Sequence, residues 1–145
     1  MIDRFNSSIL SLSINIPGNN KLNKDAKIIF DVAIDEISKL NLKILQTNIK
    51  SRASGYEAQI ALDEDAIKVK KSVVQIEENH PLGRFMDIDI IDNEKKQISR
   101  SDICATPRRC FLCENDAKIC ARSRKHPLEE LLLYIHIEVQ NYAKN

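Results

Sequence analysis

Tryptophan is absent, and aromatic residues make up only 5% of the 145 residues. Readers of single-stranded nucleic acid stack bases on aromatic rings, so this scarcity argues against one. Long apolar runs are missing too. The stretch Leu131 to Ile135 falls far short of the roughly 20 apolar residues needed to span a bilayer. Nor is there an excess of one charge. Lys and Arg number 22 against 21 Asp and Glu, a formal net charge of +1, which gives no overall pull towards nucleic acid or an acidic surface. The opening residues, MIDRFNSSILSLSINIPG, lack the charged lead, apolar core and small-residue cleavage site of a signal peptide. A cytoplasmic protein is expected, with no nucleic-acid or membrane partner.

Hydrophobic residues make up 43% and charged residues 30%, the balance of a soluble globular chain. The length suits one domain, 1–145, read as an α+β core over 1–100 and a Cys/Arg-rich segment with a C-terminal helix over 101–145. Apolar and polar residues alternate from Ile9 to Ile16, a strand pattern that ends at the turn residues PGNN. Helical spacing follows over Asp25 to Leu40, with Asn23 or Asp25 as its cap. KILQTNIK and YEAQIALD read as strands joined by an RASG loop, and Asp63 to Asn79 as a second amphipathic helix. Pro81 disfavours helix at His80, and Gly83 is expected to allow unusual backbone angles. Phe85 to Asp92 reads as a fourth strand, with KQISR able to pair with it, and a last helix is expected over about Pro127 to Ala143. The order strand, helix, strand, strand, helix, strand predicts a ferredoxin-like split βαβ sandwich (βαββαβ), two helices covering one face of a mainly antiparallel sheet.

Within GRFMDIDII, Asp87 and Asp89 fall two apart and project from one strand face, opposite Met86, Ile88 and Ile90. Neighbouring carboxylates repel unless something positive lies between them. Mg²⁺ takes one or two carboxylates and completes its shell with water and substrate phosphates. The bland alternative is the solvent face of an amphipathic strand. Gly83 and Arg84 just before the strand suit a phosphate.

Near the C-terminus Arg108, Arg109, Arg122, Arg124 and Lys125 fall within eighteen positions. Guanidinium groups gathered in this way suit polyphosphate, although a solvated basic face is the plainer account. Cys110, Cys113, Cys120 and His126 follow the spacing C-x2-C-x6-C-x5-H and could close a tetrahedral zinc site. The plainer account is a set of reduced, partly buried cysteines, since the expected compartment disfavours disulfides. His126 could serve as metal ligand, phosphate contact or general base, whereas His80 and His136 read as structural. A non-catalytic, zinc-stabilised module binding an anion or a partner protein is the alternative to an enzyme.

The combination is more specific than its parts. NIPG (Asn15 to Gly18), SGYEA (Ser54 to Ala58), HPLGRFMDIDII (His80 to Ile91), ISRSDI (Ile98 to Ile103), PRRCFLC (Pro107 to Cys113) and CARSRKHPLEELL (Cys120 to Leu132) occur in this order. Together they closely resemble the holo-acyl-carrier-protein synthases of citrate lyase, the apo-citrate lyase phosphoribosyl-dephospho-CoA transferases. The resemblance runs from about Ile9 to Ile135. It departs in two places. Family members usually carry a further Arg-rich helix before the first strand, and Cys104 stands where a small residue such as Gly is expected.

The resemblance implies a nucleotidyltransferase-type reaction. The phosphoribosyl-dephospho-CoA portion of 2′-(5″-triphosphoribosyl)-3′-dephospho-CoA passes to a serine of the acyl-carrier (gamma) subunit of citrate lyase, and pyrophosphate leaves. It further implies Mg²⁺ held by Asp87 and Asp89, with phosphate contacts from Gly83, Arg84, Arg108, Arg109, Arg122 and Arg124. The strand acids also resemble those of polymerase-β-like nucleotidyltransferases, whose third carboxylate has no assignable counterpart in this sequence.

Overall fold

A computed structural model describes residues 8–110, 117 and 126–144. Strand β1 spans Ser8–Ile14, helix α1 Lys24–Ser38, β2 Ile44–Arg52, β3 Gly55–Leu62, helix α2 Ala66–Asn79, β4 Met86–Ile91, β5 Gln97–Ile98 and helix α3 Leu128–Lys144. The strands form one antiparallel sheet in the order β2-β3-β1-β4-β5. The protein is therefore an α+β chain, and its short fifth strand comes from the KQISR stretch.

Register follows the hydrophobic alternation, because a one-residue slip would turn every side chain to the wrong face. Leu12 lies between Ala58 and Ile88, and Leu10 between Ile60 and Ile90. These residues are buried with Ile29, Phe30, Ala33 and Ile37 of α1 and Val69, Val73 and Ile76 of α2 in one core. On the reverse side, the same pairings line up Lys50, Glu57, Ser13 and Asp87 in one row and Asn48, Gln59, Ser11 and Asp89 in the next. Helix α3 adds Ile135 and Val139 to the core. Tyr134 meets Phe85 edge-on with ring centroids 6.2 Å apart.

Local hydrogen bonding explains where the boundaries differ from the sequence expectations. The β1 ladder stops at Ile14 because the N–H of Ile16 turns back to the Ile14 carbonyl at 3.0 Å. Helix α1 is capped by Asn23, whose Oδ1 accepts from the N–H of Ala26 at 2.8 Å. Helix α2 begins at Ala66 rather than Asp63. Asp65 keeps an extended backbone and its carboxylate caps the N–H of Lys68. The expected RASG loop shrinks to Ala53 and Ser54, since Arg52 still pairs with Gly55. Two histidines are structural. His80 Nδ1 accepts from the N–H of Leu82 at 3.0 Å, and His136 Nδ1 lies 3.0 Å from Asp25.

Gly83 corrects a sequence expectation. The glycines with positive φ are Gly18 and Gly55, not Gly83. Gly83 instead begins a 3₁₀ turn, Gly83–Phe85, pressed against the end of α2. A Cβ there would sit 2.3 Å from the carbonyl oxygen of Ile76 and 2.5 Å from that of Glu77. Smallness, not unusual torsion, is what the position demands. Gly83→Ala should therefore destabilise the fold by about 1–3 kcal/mol, as overpacking against backbone does. A urea midpoint equal to the wild type would show that the turn can slide without cost.

Candidate active site

The turn at Gly83–Phe85 delivers the chain into β4, and the pleat then separates the side chains. Met86, Ile88 and Ile90 enter the core while Asp87 and Asp89 emerge on the polar face. Asp87 stands opposite Ser13, and Asp89 opposite Ser11. The Asp87 side chain is 49% exposed. Asp89 Oδ1 accepts from Gln97 Nε2 at 3.1 Å.

Positive charge reaches Asp87 through Arg108, and Asp89 through Lys70 first and Arg108 second. The Arg108 guanidinium is the one placed beside the strand's start. Its Nη1 lies 3.8 Å from Asp87 Oδ1 and donates to the Met86 carbonyl at 2.7 Å. Its Nη2 donates to the Arg84 carbonyl at 2.6 Å. Arg108 thus laces the segment after Pro107 to the turn that precedes β4. Burial first, and the Asp87 carboxylate second, push the Asp89 carboxyl above its ordinary range, against the opposing pull of Lys70 and Arg108.

Arg84 is exposed at the turn and makes no ion pair among the described residues. It lines a small recess of about 60 Å³ with Arg100, Arg108, Arg109, Glu77 and Glu78. Cys110 is buried, and Cys104 is exposed in a left-handed conformation at φ 60°. That backbone accounts for the expectation of glycine at position 104. The Nε2 of His126 is buried without a hydrogen-bond partner among the described residues. Cys113, Cys120, Arg122 and Arg124 lie outside the described residues. Among those described, no group of three or more His, Cys, Asp or Glu residues is arranged to hold a metal. No described helix is long and apolar enough to cross a membrane.

Sequence reasoning missed Lys70, Glu77 and Arg100. Glu77 is buried, with its carboxylate 2.6 Å from Arg100 Nη2 and 3.4 Å from Arg108 Nη1. Arg100 also pairs with Glu78. A signal was available: Lys70 and Glu77, seven residues apart, fall on the buried arc of α2 beside Val69, Val73 and Ile76. Opposite charges on an apolar arc imply buried partners. Their sequence does not name those partners.

Residues 1–142 match the family profile of apo-citrate lyase phosphoribosyl-dephospho-CoA transferase. A Vibrio cholerae protein named "Probable apo-citrate lyase phosphoribosyl-dephospho-CoA transferase" is 36% identical over 147 aligned positions, covering 98% of this chain and 83% of that one. An Escherichia coli protein with the same name, without the qualifier, is 34% identical over 128 positions, covering 86% of this chain and 70% of its own. The chain belongs to this family. Haemophilus influenzae "Protein CitXG" is 30% identical, covering 98% of this chain but 31% of that protein.

Within this family member, HPLGRFMDIDII forms the tight turn and the acid-bearing strand, and the arginine of ISRSDI is the one held by Glu77 and Glu78. The raised Asp89 carboxyl has a consequence for stability. A folded value above the unfolded one means that the folded chain holds the proton more tightly. Stability is therefore lost as pH rises from the unfolded value through the folded one. Asp89→Asn should melt above the wild type at pH 7, and the gap should narrow towards about pH 4. A variant less stable than wild type at pH 7 would contradict this.

Proposed function

We propose that the protein transfers the phosphoribosyl-dephospho-CoA portion of 2′-(5″-triphosphoribosyl)-3′-dephospho-CoA to a serine hydroxyl of the acyl-carrier (gamma) subunit of citrate lyase. Family membership supports this reading. The single structural observation that carries it is the presentation of Asp87 and Asp89 on one strand face, beside a turn that bears Arg84 and is held by Arg108. The strand order β2-β3-β1-β4, with α1 and α2 as crossovers, further supports assigning the core to the ferredoxin-like arrangement.

In the transfer, the serine oxygen attacks the phosphorus attached to the ribose 5″ oxygen. The bond from that phosphorus to the bridging oxygen breaks, and pyrophosphate leaves with the electron pair. Reactions of this kind depend on in-line positioning and charge neutralisation more than on covalent help from the protein. Asp87 and Asp89 are hard oxygen donors, and a two-carboxylate set with room for water and phosphate fits Mg²⁺. Bound there, Mg²⁺ would supply Lewis-acid neutralisation of the triphosphate charge. One of the two aspartates accepts the serine proton. Arg84, exposed at the turn, meets phosphate oxygens, with Arg109, Arg122, Arg124 and His126 as further contacts. Arg108 acts at shorter range, fixing the turn while adding positive charge beside Asp87.

Zinc is a separate, structural proposal. The buried Cys110 and the orphaned His126 Nε2 are suitable donors, and a buried ring nitrogen without a partner is costly unless something occupies it. Cys113 and Cys120 would complete the set.

Purified protein, the triphosphoribosyl substrate, Mg²⁺ and apo carrier should yield a carrier heavier by the prosthetic group. Asp87→Asn or Asp89→Asn should slow that mass shift by at least about a hundredfold while leaving a folded chain. Full activity in both variants would remove the aspartates from the mechanism. Elemental analysis should find about one zinc per chain, lost in Cys110→Ser. Metal-free protein with an unchanged melting curve in chelator would sink the zinc assignment.

A further inference from the structure

We infer that Glu77 and Lys70 of α2 are positioning residues for the strand that carries Asp87 and Asp89, an inference that rests on the transferase reading above. In an antiparallel strand the N–H and C=O of one residue point to the same side. Those of Ile88, which separates the two aspartates, point away from β1, because the N–H donates to Glu77 Oε2 at 3.0 Å. The carbonyl of the same residue accepts from Lys70 Nζ at 3.4 Å. Strand β5 reaches only as far as the pairing of Ile90 with Ile98, so no strand neighbour serves Ile88 on that side. Two side chains of α2, a donor and an acceptor seven residues apart, stand in for the missing ladder.

The arrangement does more than satisfy a peptide. Glu77 Oε2 is shared between the Ile88 amide and Arg108 Nη1, while Glu77 Oε1 is bound to Arg100. Arg108 in turn holds the carbonyls of Arg84 and Met86, on the approach to Asp87. One buried carboxylate therefore ties together the peptide between the two acids, the turn before them and the guanidinium beside them. Glu77 also draws Arg108 towards the strand edge, and so limits its neutralisation of Asp87. Both acids are thereby kept side by side and free to accept a divalent cation. Lys70 balances the buried charge at the carbonyl of the same residue.

The test uses the full chain, with Mn²⁺ as the probe for the divalent site. In Glu77→Gln, which keeps the shape but loses the charge, Mn²⁺ affinity and kcat should each fall about ten- to a hundredfold, with KM for the triphosphate little changed. Amide exchange at Ile88 should quicken about tenfold. Lys70→Met, which preserves length and burial, should show the same pattern more weakly, and it decides the matter if Glu77→Gln does not fold. Faster exchange at Ile88 with wild-type Mn²⁺ affinity and kcat would reduce the contacts to ordinary hydrogen bonds and overturn the inference. A wild-type protein that transfers nothing, but whose Mn²⁺ affinity drops in these variants, would sink the transferase reading and leave the positioning role standing.

Discussion

The pleat of β4 is the constraint on which the site depends. Along six residues it sends three apolar side chains into the core and two carboxylates to the other face. The pairings of Leu10 and Leu12 with Ile90 and Ile88 hold that register, because a slip would bury both acids and expose three large apolar groups. Burial of the core therefore positions the chemistry. Apolar packing on one side of the strand is what keeps two repelling charges adjacent on the other.

That repulsion is tolerated at a cost. The Asp89 carboxyl is raised by burial and by its neighbour, and only partly relieved by Lys70 and Arg108. A site assembled purely for stability would place an amide there, or a cation between the acids. Charge left uncompensated in the folded chain is characteristic of places where a ligand supplies the balance. The arginines nearby are committed to different degrees. Arg100 is held by two glutamates and Arg108 by backbone carbonyls, whereas Arg84 stands exposed at the turn. Arg100 and Arg108 are thus committed to holding the fold together, and Arg84 is left facing solvent.

Much of the fold was legible in the chain. Alternation in ILSLSI and YEAQIALD, and the spacing of Val69, Val73 and Ile76, correspond to observed strands and a helix, because period-two and period-3.6 burial leave different traces. Boundaries were less legible. They turn on single hydrogen bonds, such as the Asp65 cap and the turn back at Ile16, which compete with continuation of the ladder or helix. At Gly83 the requirement is for space, not torsion. The torsional freedom of glycine belongs to the residue, but the carbonyls of Ile76 and Glu77 that exclude a side chain belong to another element.

By itself the sequence determined the order of elements, the shared face of Asp87 and Asp89, and the family to which the chain belongs, because each of these is written in local spacing. Only the tertiary structure decided that Glu77 and Lys70 grip the peptide between the acids, that Arg108 returns to the turn before β4, and that Arg100 is held rather than free. Those contacts join residues 11 to 24 positions apart. Which charges meet across such distances depends on how α2 and the segment after β5 pack against one strand edge, and no local pattern records that.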